Sequence, residues 1–593
     1  MKYQPYALTE RLEERFGDPG DAVRTFSLAR CAELDRREEF PADICRALDE
    51  AGVAGYYVPA RFGGAVHTFE DTLQVVRLMA RRDLTVAIGH GKTFLGGVSA
   101  WVGAEPDQAR RIAAEVLGGS VVSWGLTEEA HGSDLLAGEV TAAPVAGGYR
   151  VAGEKWLINN ATRADLVCLL ARTDPDGGPR GFSLLLMDKH RLGPDAYRCL
   201  PKVRTHGVRG ADISGIGFDG AMVEAGDLLG APGSGVETVL KGLQLTRTLV
   251  AGLSLGAADR ALRLCTGFAL GHELYGRRLV DLPHAARTLT ESYTDLLTAE
   301  VLSLVATRAI HALPGELSVL SAVVKYHVPT SVDALIASLG QTMGARAFLA
   351  TENDHGLFQK VERDHRIVGI FDGNTLVNLN VVINHFPVLA RMFARERADE
   401  PAVAAAAGVG EAPPEFAPDR LELVSRTGCS LLQGLPAAVA ALPTGTPPAV
   451  AALARRLRDI AADVHERMAG HRPTARSVPG ESFDLAREYT LCVTGAACLW
   501  FWLHNRERAG AEEPTAELWA DALWLEASLT RLLGRLRPGA PTEHGATDHG
   551  AGDHGAGEPG GAVYDRLLPA LLAQYRAGLL FSPLLCRLPE ERP

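Results

Sequence analysis

The segment RDHRIVGIFDGNT (363–375) sets one acid, Asp372, behind an apolar run and ahead of Gly373, Asn374 and Thr375. An aspartate before glycine is ordinarily a turn or helix-end residue. A carboxylate placed by a short apolar segment is also what a proton abstraction from carbon requires of its general base. A second segment, VVSWGLTEEAHGSD (121–134), brings Thr127, Gly132, Ser133 and Asp134 into a polar turn between apolar strands. Small residues there let backbone amides and hydroxyls approach the polar edge of a planar cofactor ring. Taken alone, a Gly-Ser-Asp turn is more often only a turn. A third segment, GGYRVAGEKWLINNATRADLVCLLART (147–173), reads as paired strands. His544, His549 and His554 lie in and beside the near-repeat GATDHGAGDHGAGEPGGA (545–562). No cysteine accompanies them, so the expectation is a flexible acidic loop and no bound metal.

The elements that must position these groups follow from hydrophobic period. Residues 1–120 read as an N-terminal helical domain. FPADICRALDEAG places Ile44, Leu48 and Ala51 at helical spacing before Gly52, and TFEDTLQVVRLMARRD offers Thr68 as an N-cap ahead of Leu73, Val76, Met79 and Ala80. Around Val121 the period changes to two, and residues 121–235 read as a small β domain, a barrel or sandwich. Helical period returns over 236–396, where Gly252 and Gly256 point to close helix packing. Residues 397–418 read as an Ala/Pro/acid linker. A further helical region covers 419–593, with a flexible loop at 537–562. Within it CLWFWLHNR reads as a helix buried against the main body rather than a membrane-touching patch, since basic residues do not flank it densely.

The three segments, in this order inside a helix–sheet–helix chain, resemble the acyl-CoA dehydrogenase superfamily. TEEAHGSD is similar to that family's TEPxxGSD flavin turn, GGYRVAGEKWLINN to its GG-Y-x-x-x-G-x-K-x-W-I-T-N strand pair, and RDHRIVGIFDGNT to its RDxxxxxIYEGT active-site segment. The resemblance spans roughly residues 38 to 395. It implies a mainly α fold: helical domain, central β-barrel, then four-helix bundle. The extra helical domain at the C-terminus resembles the very-long-chain dehydrogenases and the acyl-CoA oxidases, which are dimers.

The resemblance also implies chemistry: FAD as cofactor and α,β-dehydrogenation of an acyl thioester on CoA or an acyl carrier protein. A base takes the α-proton while the β-hydrogen leaves as hydride to flavin N5. Asp372 falls at the base position, where the family has glutamate, and is one methylene shorter. The alternative base site of some members is Thr246 here. Trp124, Leu126, Thr127, Gly132 and Ser133 fall at the flavin turn. Leu157 stands where the family has tryptophan, followed by Ile158 and by Asn159 in place of Thr or Ser at N5. Either Leu157 shields the ring or a β-bulge re-aims Trp156, and the Asn159 amide is expected to donate to the flavin. His272, Tyr275 and Gly276 replace the pyrophosphate-binding R-x-x-F-G, with no fixed positive charge at 272. The glutamine expected seven residues beyond Gly276 is Pro283. Gln341 and Gly344 match residues that usually reach a neighbouring subunit's flavin, which implies at least a homodimer. Asn374 and Thr375 fall on the cofactor side; Ser133, Gln244, Arg247 and Gly373 fall on the substrate side.

Bulk properties bound these readings. The chain has 593 residues, 47% hydrophobic and 22% charged, with a net charge of −12. This argues against nucleic acid as a partner. No uncharged apolar run of about 18 residues appears, so no transmembrane segment is expected, and the N-terminus lacks a signal-peptide core. The nine cysteines are scattered and lack a CxxC pair, which fits reduced thiols in the cytoplasm and no structural zinc. The resemblance implies an electron-transfer flavoprotein as the electron acceptor. Two other readings stand beside the dehydrogenase: an oxygen-using oxidase or monooxygenase on the same fold, and a catalytically idle scaffold.

Overall fold

The computed structural model describes residues 3–472, 477–509, 515–536 and 561–589. Six helices open the chain: α1 (Ala7–Phe16), α2 (Leu28–Arg37), α3 (Ala42–Glu50), α4 (Phe69–Arg82), α5 (Leu84–Gly103) and α6 (Pro106–Leu117). Ile44 and Leu48 are buried as their spacing requires, and Gly52, at φ 77°, turns the chain out of α3. Thr68 does precede α4, but its hydroxyl makes no capping bond. The first free amide, Phe69 N–H, donates instead to His311 Nε2 at 3.1 Å, a partner distant in sequence. Asp83 caps α5 by accepting from Val86 N–H at 2.9 Å. Its other oxygen meets Lys360 Nζ at 2.6 Å.

An eight-stranded sheet follows, built from β1 (Val122–Gly125), β2 (Thr141–Val145), β3 (Gly148–Asn159), β4 (Leu166–Arg172), β5 (Phe182–Asp188), β6 (Tyr197–Leu200), β7 (Ile213–Glu224) and β8 (Leu228–Leu229). The order is β6-β7-β3-β2-β4-β5-β8, with β1 parallel to β4. β4 and β5 are apolar on both faces for a reason the structure supplies. Leu166, Cys168, Leu170, Leu184 and Leu186 join the helical core, while Val167, Leu169, Ala171, Leu185 and Met187 fill a separate core belonging to the sheet.

The helical bundle comprises α7 (Gly235–Leu249), α8 (Ala251–Gly271), α9 (Pro283–Ala312), α10 (Leu317–Met343), α11 (Leu357–His365) and α12 (Thr375–Phe393). A short hairpin, β9 (Glu273–Leu274) with β10 (Arg277–Arg278), joins α8 to α9. α8 lies directly on α4: a Cβ at Gly256 would stand 2.5 Å from Arg81 N. α12 is long and apolar enough by composition to cross a membrane, yet Leu379, Val382, Ile383, Phe386 and Leu389 are buried within the protein.

The stretch expected to be a linker is not one. It forms α13 (Glu400–Ala407), whose Val403, Ala406 and Ala407 are buried, and then a strap in which Phe416 packs on Phe69 and His311. Alanines suffice there because a close-packed helix needs small side chains, not a periodic large face. Beyond it come α14 (Ser430–Gln433), α15 (Leu435–Ala440), α16 (Pro448–Gly470), α17 (Gly480–Ala509), α18 (Ala516–Trp519), α19 (Leu523–Arg535) and α20 (Ala562–Arg576). The expected loop at 537–562, with His544, His549 and His554, lies outside the described residues up to residue 560. CLWFWLHNR is buried in α17, with Cys498, Leu499 and Phe501 fully enclosed. Trp500 Nε1 donates to Leu431 O at 3.0 Å.

Charged groups tie this region to the rest. Asp295 on α9 meets Arg531 at 2.9 Å and Arg535 at 3.0 Å. Ser582 Oγ donates at 2.7 Å to Glu300, which also pairs with Arg77 of α4 at 2.9 Å. All nine cysteines are free.

Candidate active site

Asp372 sits in the turn between α11 and α12, at φ 55°, in the left-handed region that costs a non-glycine residue roughly 1–3 kcal/mol. Fixed partners hold it there. Arg247 Nε, on α7, donates to the Asp372 carbonyl at 2.8 Å. Gly373 follows at φ 94°, and a Cβ on it would stand 2.8 Å from Arg247 Nη2. Asn374 caps α12 by accepting from Val377 N–H at 3.0 Å, and Asn378 Nδ2 donates to the carbonyls of Gly373 and Asn374, each at 2.9 Å. The side chain is left free: Asp372 Oδ2 is buried with no hydrogen-bond partner.

Three cations lie near enough to feel that carboxylate's charge. Burial lowers the pKa of Lys92 on α5, Arg247 on α7 and Lys325 on α10, and attraction to Asp372 opposes it in each case. Lys325 comes down to about 8. Its ammonium donates to Val368 O and lies 5.1 Å from the Phe371 ring centre. These positive charges suit a negative charge developing near Asp372.

The turn is anchored by residues whose role was not read from the motif. Arg363 pairs with Asp35 of α2 and, at 3.2 Å, with Asp364. Lys360 bridges Asp364 and Asp83, each at 2.6 Å. This buried charge network joins α11 to the first turn of α5. The charged run KVERDH (360–365) was its signal in the sequence.

On the sheet side, Glu128 accepts from Lys155 Nζ at 2.7 Å and from the amides of Glu139 and Val140, fixing the 128–134 turn from behind. Its pKa is lowered: the Lys155 and backbone bonds outweigh the opposing effect of burial. Thr127 Oγ1 donates to Trp156 O at 2.9 Å, and Gly132 and Ser133 stay exposed. The strand register shifts between Trp156 and Ile158, so a bulge is present. It leaves Leu157 at φ 54° and 43% exposed, while Lys155 and Ile158 are both buried, which strict alternation forbids.

Three of the expected cofactor residues have side chains that are enclosed or already bonded. The Ile158 side chain fills the sheet's own core, so only its backbone is left to meet a cofactor. Trp124 is buried beside Val98 and Gly242, in the helical core rather than on an open wall. Asn159 Nδ2 is already donating to Ile88 O of α5 at 3.0 Å, and it is Asn159 Oδ1 that remains buried without a partner. An accessible Leu157, the free turn at 132–133 and this unpaired oxygen fit a planar ring with hydrogen-bonding edges.

Other predicted residues stand elsewhere. His272 stacks on Phe268 at 4.8 Å, and the Arg346 guanidinium lies 5.4 Å from the same ring, so a fixed charge stands near the position the sequence left uncharged. Tyr275 is 97% exposed and Phe348 89%, and Gln341 and Gly344 are also at the surface. Among the described residues no hydrogen bond or ion pair connects this group with Asp372 or Asn159. Gln244 is buried rather than open to substrate, because its Nε2 donates to Glu422 O of the strap at 2.8 Å. Thr375 begins α12. Ser254, His365 and Asp333 form a relay, 2.9 Å from Ser254 Oγ to His365 Nε2 and 2.6 Å from His365 Nδ1 to Asp333. Ser254 lies fully buried within α8, so no substrate carbonyl reaches it.

Three acyl-CoA dehydrogenase family models match the chain: the N-terminal domain over residues 20–119, the middle domain over 123–221 and the C-terminal domain over 233–386. A mitochondrial short/branched chain specific acyl-CoA dehydrogenase of Rattus norvegicus is 25% identical over 373 residues, 61% of this chain and 84% of that protein. The structure of a prolyl acyl carrier protein oxidase overlays with a TM-score of 0.58 at 18% identity, covering 64% of this chain and 98% of that one. A structure from work on an electron-transferring flavoprotein of Acidaminococcus fermentans overlays with a TM-score of 0.58 at 21% identity, covering 64% and 95%.

Proposed function

Because this chain belongs to the acyl-CoA dehydrogenase family, we propose that it is an FAD-dependent oxidoreductase forming an α,β double bond in an acyl thioester, with Asp372 as base. The observation that carries this is a carboxylate with an unpaired buried oxygen, on a residue whose backbone carbonyl Arg247 clamps, with three cations near enough to feel its charge. The α-proton passes to Asp372, the β-hydrogen leaves with its electron pair, and the carbon–carbon double bond forms. FAD, when bound, supplies the acceptor for that hydride.

The rest is work for the chain. Arg247 acts on the backbone of residue 372, so it is a positioning residue. The cations stabilise the enolate-like charge that grows on the thioester as the proton leaves. The Glu128–Lys155 pair holds the 128–134 turn at the ring edge, with Leu157 against the ring face. Arg346 supplies the phosphate-side charge that His272 does not. Exposed Tyr275, Phe348, Gln341 and Gly344 support a homodimer in which one protomer completes its partner's cofactor site. Nine free cysteines support a reducing compartment, the cytoplasm. The thioester is carried on CoA or on an acyl carrier protein, and the electron acceptor is an electron-transfer flavoprotein. Oxygen is the second reading, favoured by the overlay on a carrier-protein oxidase.

The test is the visible spectrum of the FAD-loaded protein under anaerobic addition of acyl thioesters. Bleaching of the flavin band that Asp372→Ala abolishes, with thioester binding retained, is the expected result. A flavin that no thioester bleaches overturns the dehydrogenase reading, and failure to bind flavin returns the protein to a scaffold. Oxygen consumption during reoxidation separates an oxidase from a dehydrogenase.

A further inference from the structure

The turn that carries Asp372 is held at Val368 O by Lys325 and at Asp372 O by Arg247. Where it leaves α11 it has an anchor of another kind. His365 closes α11 and is fully buried, with both ring nitrogens bonded. Nδ1 lies 2.6 Å from Asp333 of α10, and Nε2 lies 2.9 Å from Ser254 Oγ of α8. A carboxylate oxygen accepts, so Nδ1–H donates to Asp333 and Nε2 is left to accept from the Ser254 hydroxyl. The order Ser–His–Asp is that of a nucleophile relay, but the serine is enclosed and only the Asp333 end reaches solvent. The mechanism given above uses none of the three.

What such a bracket does is mechanical. Each ring nitrogen has its partner on a different helix, so turning the ring or sliding the end of α11 strands a polar group in the core. The end of α11 is thereby fixed against α8 and α10 at once. Seven positions later Asp372 stands at φ 55°, a backbone state that persists only where the surroundings over-determine it. Asp333 also stands beside the turn itself, since a Cβ on Gly369 would lie 3.9 Å from its Oδ2. Its charge reaches Lys325, on the same helix. The charged groups that act on Lys325 are Asp372 of the turn, Arg247 of α7 and Asp333, and the two acids favour the ammonium.

We propose that His365 is a positioning residue for the base, oriented by Ser254 and Asp333, and that Asp333 also sustains the ammonium of Lys325 near Asp372. His365 acts through the backbone of residues 365–372, so its loss should slow the proton abstraction without releasing the thioester. Asp333 acts through its charge as well, so its neutralisation should change how the rate depends on pH.

This inference rests on the dehydrogenase reading, and one set of measurements separates the two. Butanoic, octanoic and hexadecanoic thioesters, on CoA and on an acyl carrier protein, are mixed without oxygen with the FAD-loaded protein. Flavin bleaching is followed against concentration and pH with the thioester that reacts fastest. His365→Leu is expected to lower the limiting reduction rate roughly tenfold to a hundredfold, the cost of displacing a base by up to about 1 Å. The thioester dissociation constant should stay nearly the same. His365→Asn, whose amide still offers a donor near the Nδ1 position, should recover much of the rate. Asp333→Asn keeps an acceptor for His365 but loses a negative neighbour of Lys325, which disfavours the ammonium. Its alkaline fall in rate should therefore begin below the pH of about 8 at which Lys325 titrates. Circular dichroism and flavin content check that each variant is folded. A folded His365→Leu protein that reduces its flavin at the unsubstituted rate overturns the proposal. So does one whose thioester binding weakens as much as its rate, because His365 then only packs the core. An alkaline fall that stays in place in Asp333→Asn overturns the role given to Asp333. If no thioester bleaches the unsubstituted protein, the dehydrogenase reading falls and takes the proposal with it.

Discussion

Gly373→Ala tests the clamp on the base. Residue 373 stands at φ 94°, where a side chain is strained by about 1–3 kcal/mol whatever the space around it. There is also no space: the new methyl would lie 2.8 Å from Arg247 Nη2 and 3.4 Å from Nε. Relief of about 0.6 Å is needed to reach ordinary contact. Because Arg247 Nε holds the Asp372 carbonyl at 2.8 Å, a guanidinium retreat of that size stretches the bond to about 3.4 Å, past the normal range. The carboxylate then loses its fixed position, and a displacement of about 1 Å costs roughly a hundredfold in rate. Stopped-flow flavin reduction by a saturating thioester is the assay, with Arg247→Lys as a companion that keeps the charge and loses the Nε bond. Both variants should slow reduction about a hundredfold while thioester affinity changes much less. A Gly373→Ala protein that is folded and reduces its flavin at the unsubstituted rate would refute the reasoning, because the clamp would then not place the base.

Two further outcomes follow from the charge placement. Lys325 titrates at about 8 instead of its ordinary 10.5, so the positive field at Asp372 weakens as pH rises past about 8, and the flavin reduction rate should fall over that range. Lys325→Arg should flatten the profile. Stability moves the other way: the unfolded chain binds the extra proton between pH 8 and 10.5, so this group makes folding less unfavourable as pH rises. Asp295 is buried, and its two arginines hold its pKa below the usual carboxylate value against the opposing effect of burial. Removing both (Arg531→Ala with Arg535→Ala) should cost about 3–5 kcal/mol in urea unfolding at pH 7. The cost should shrink as pH falls and Asp295 protonates.

Local chemistry made much of this protein legible in its sequence. The change from helical period to period two marked the sheet, because burial on one face imposes a period whatever the partner. Gly252 and Gly256 pointed to a close helix contact, and the structure supplies α4 as the partner, too near for a Cβ. The motif around Asp372 named the residue that the structure leaves with an unpaired buried oxygen. What the sequence withheld depends on partners far along the chain. The 397–418 stretch read as a linker because alanine carries no period, and only the surfaces of α9 and α17 make Glu400–Ala407 a packed helix. Thr68 looked like a cap until His311, 243 positions away, took the amide. At Leu157 the sequence left a bulge as one of two alternatives, and only the register of β3 on β7 decided for it. Lys92 carried no signal at all, being one basic residue in a helix of glycines and apolar residues. Its meaning lies in what surrounds it, an enclosed helix, a neighbouring carboxylate and two cations already committed. Those neighbours come from four separate stretches of chain, so tertiary packing alone sets this ammonium within reach of the carboxylate's charge.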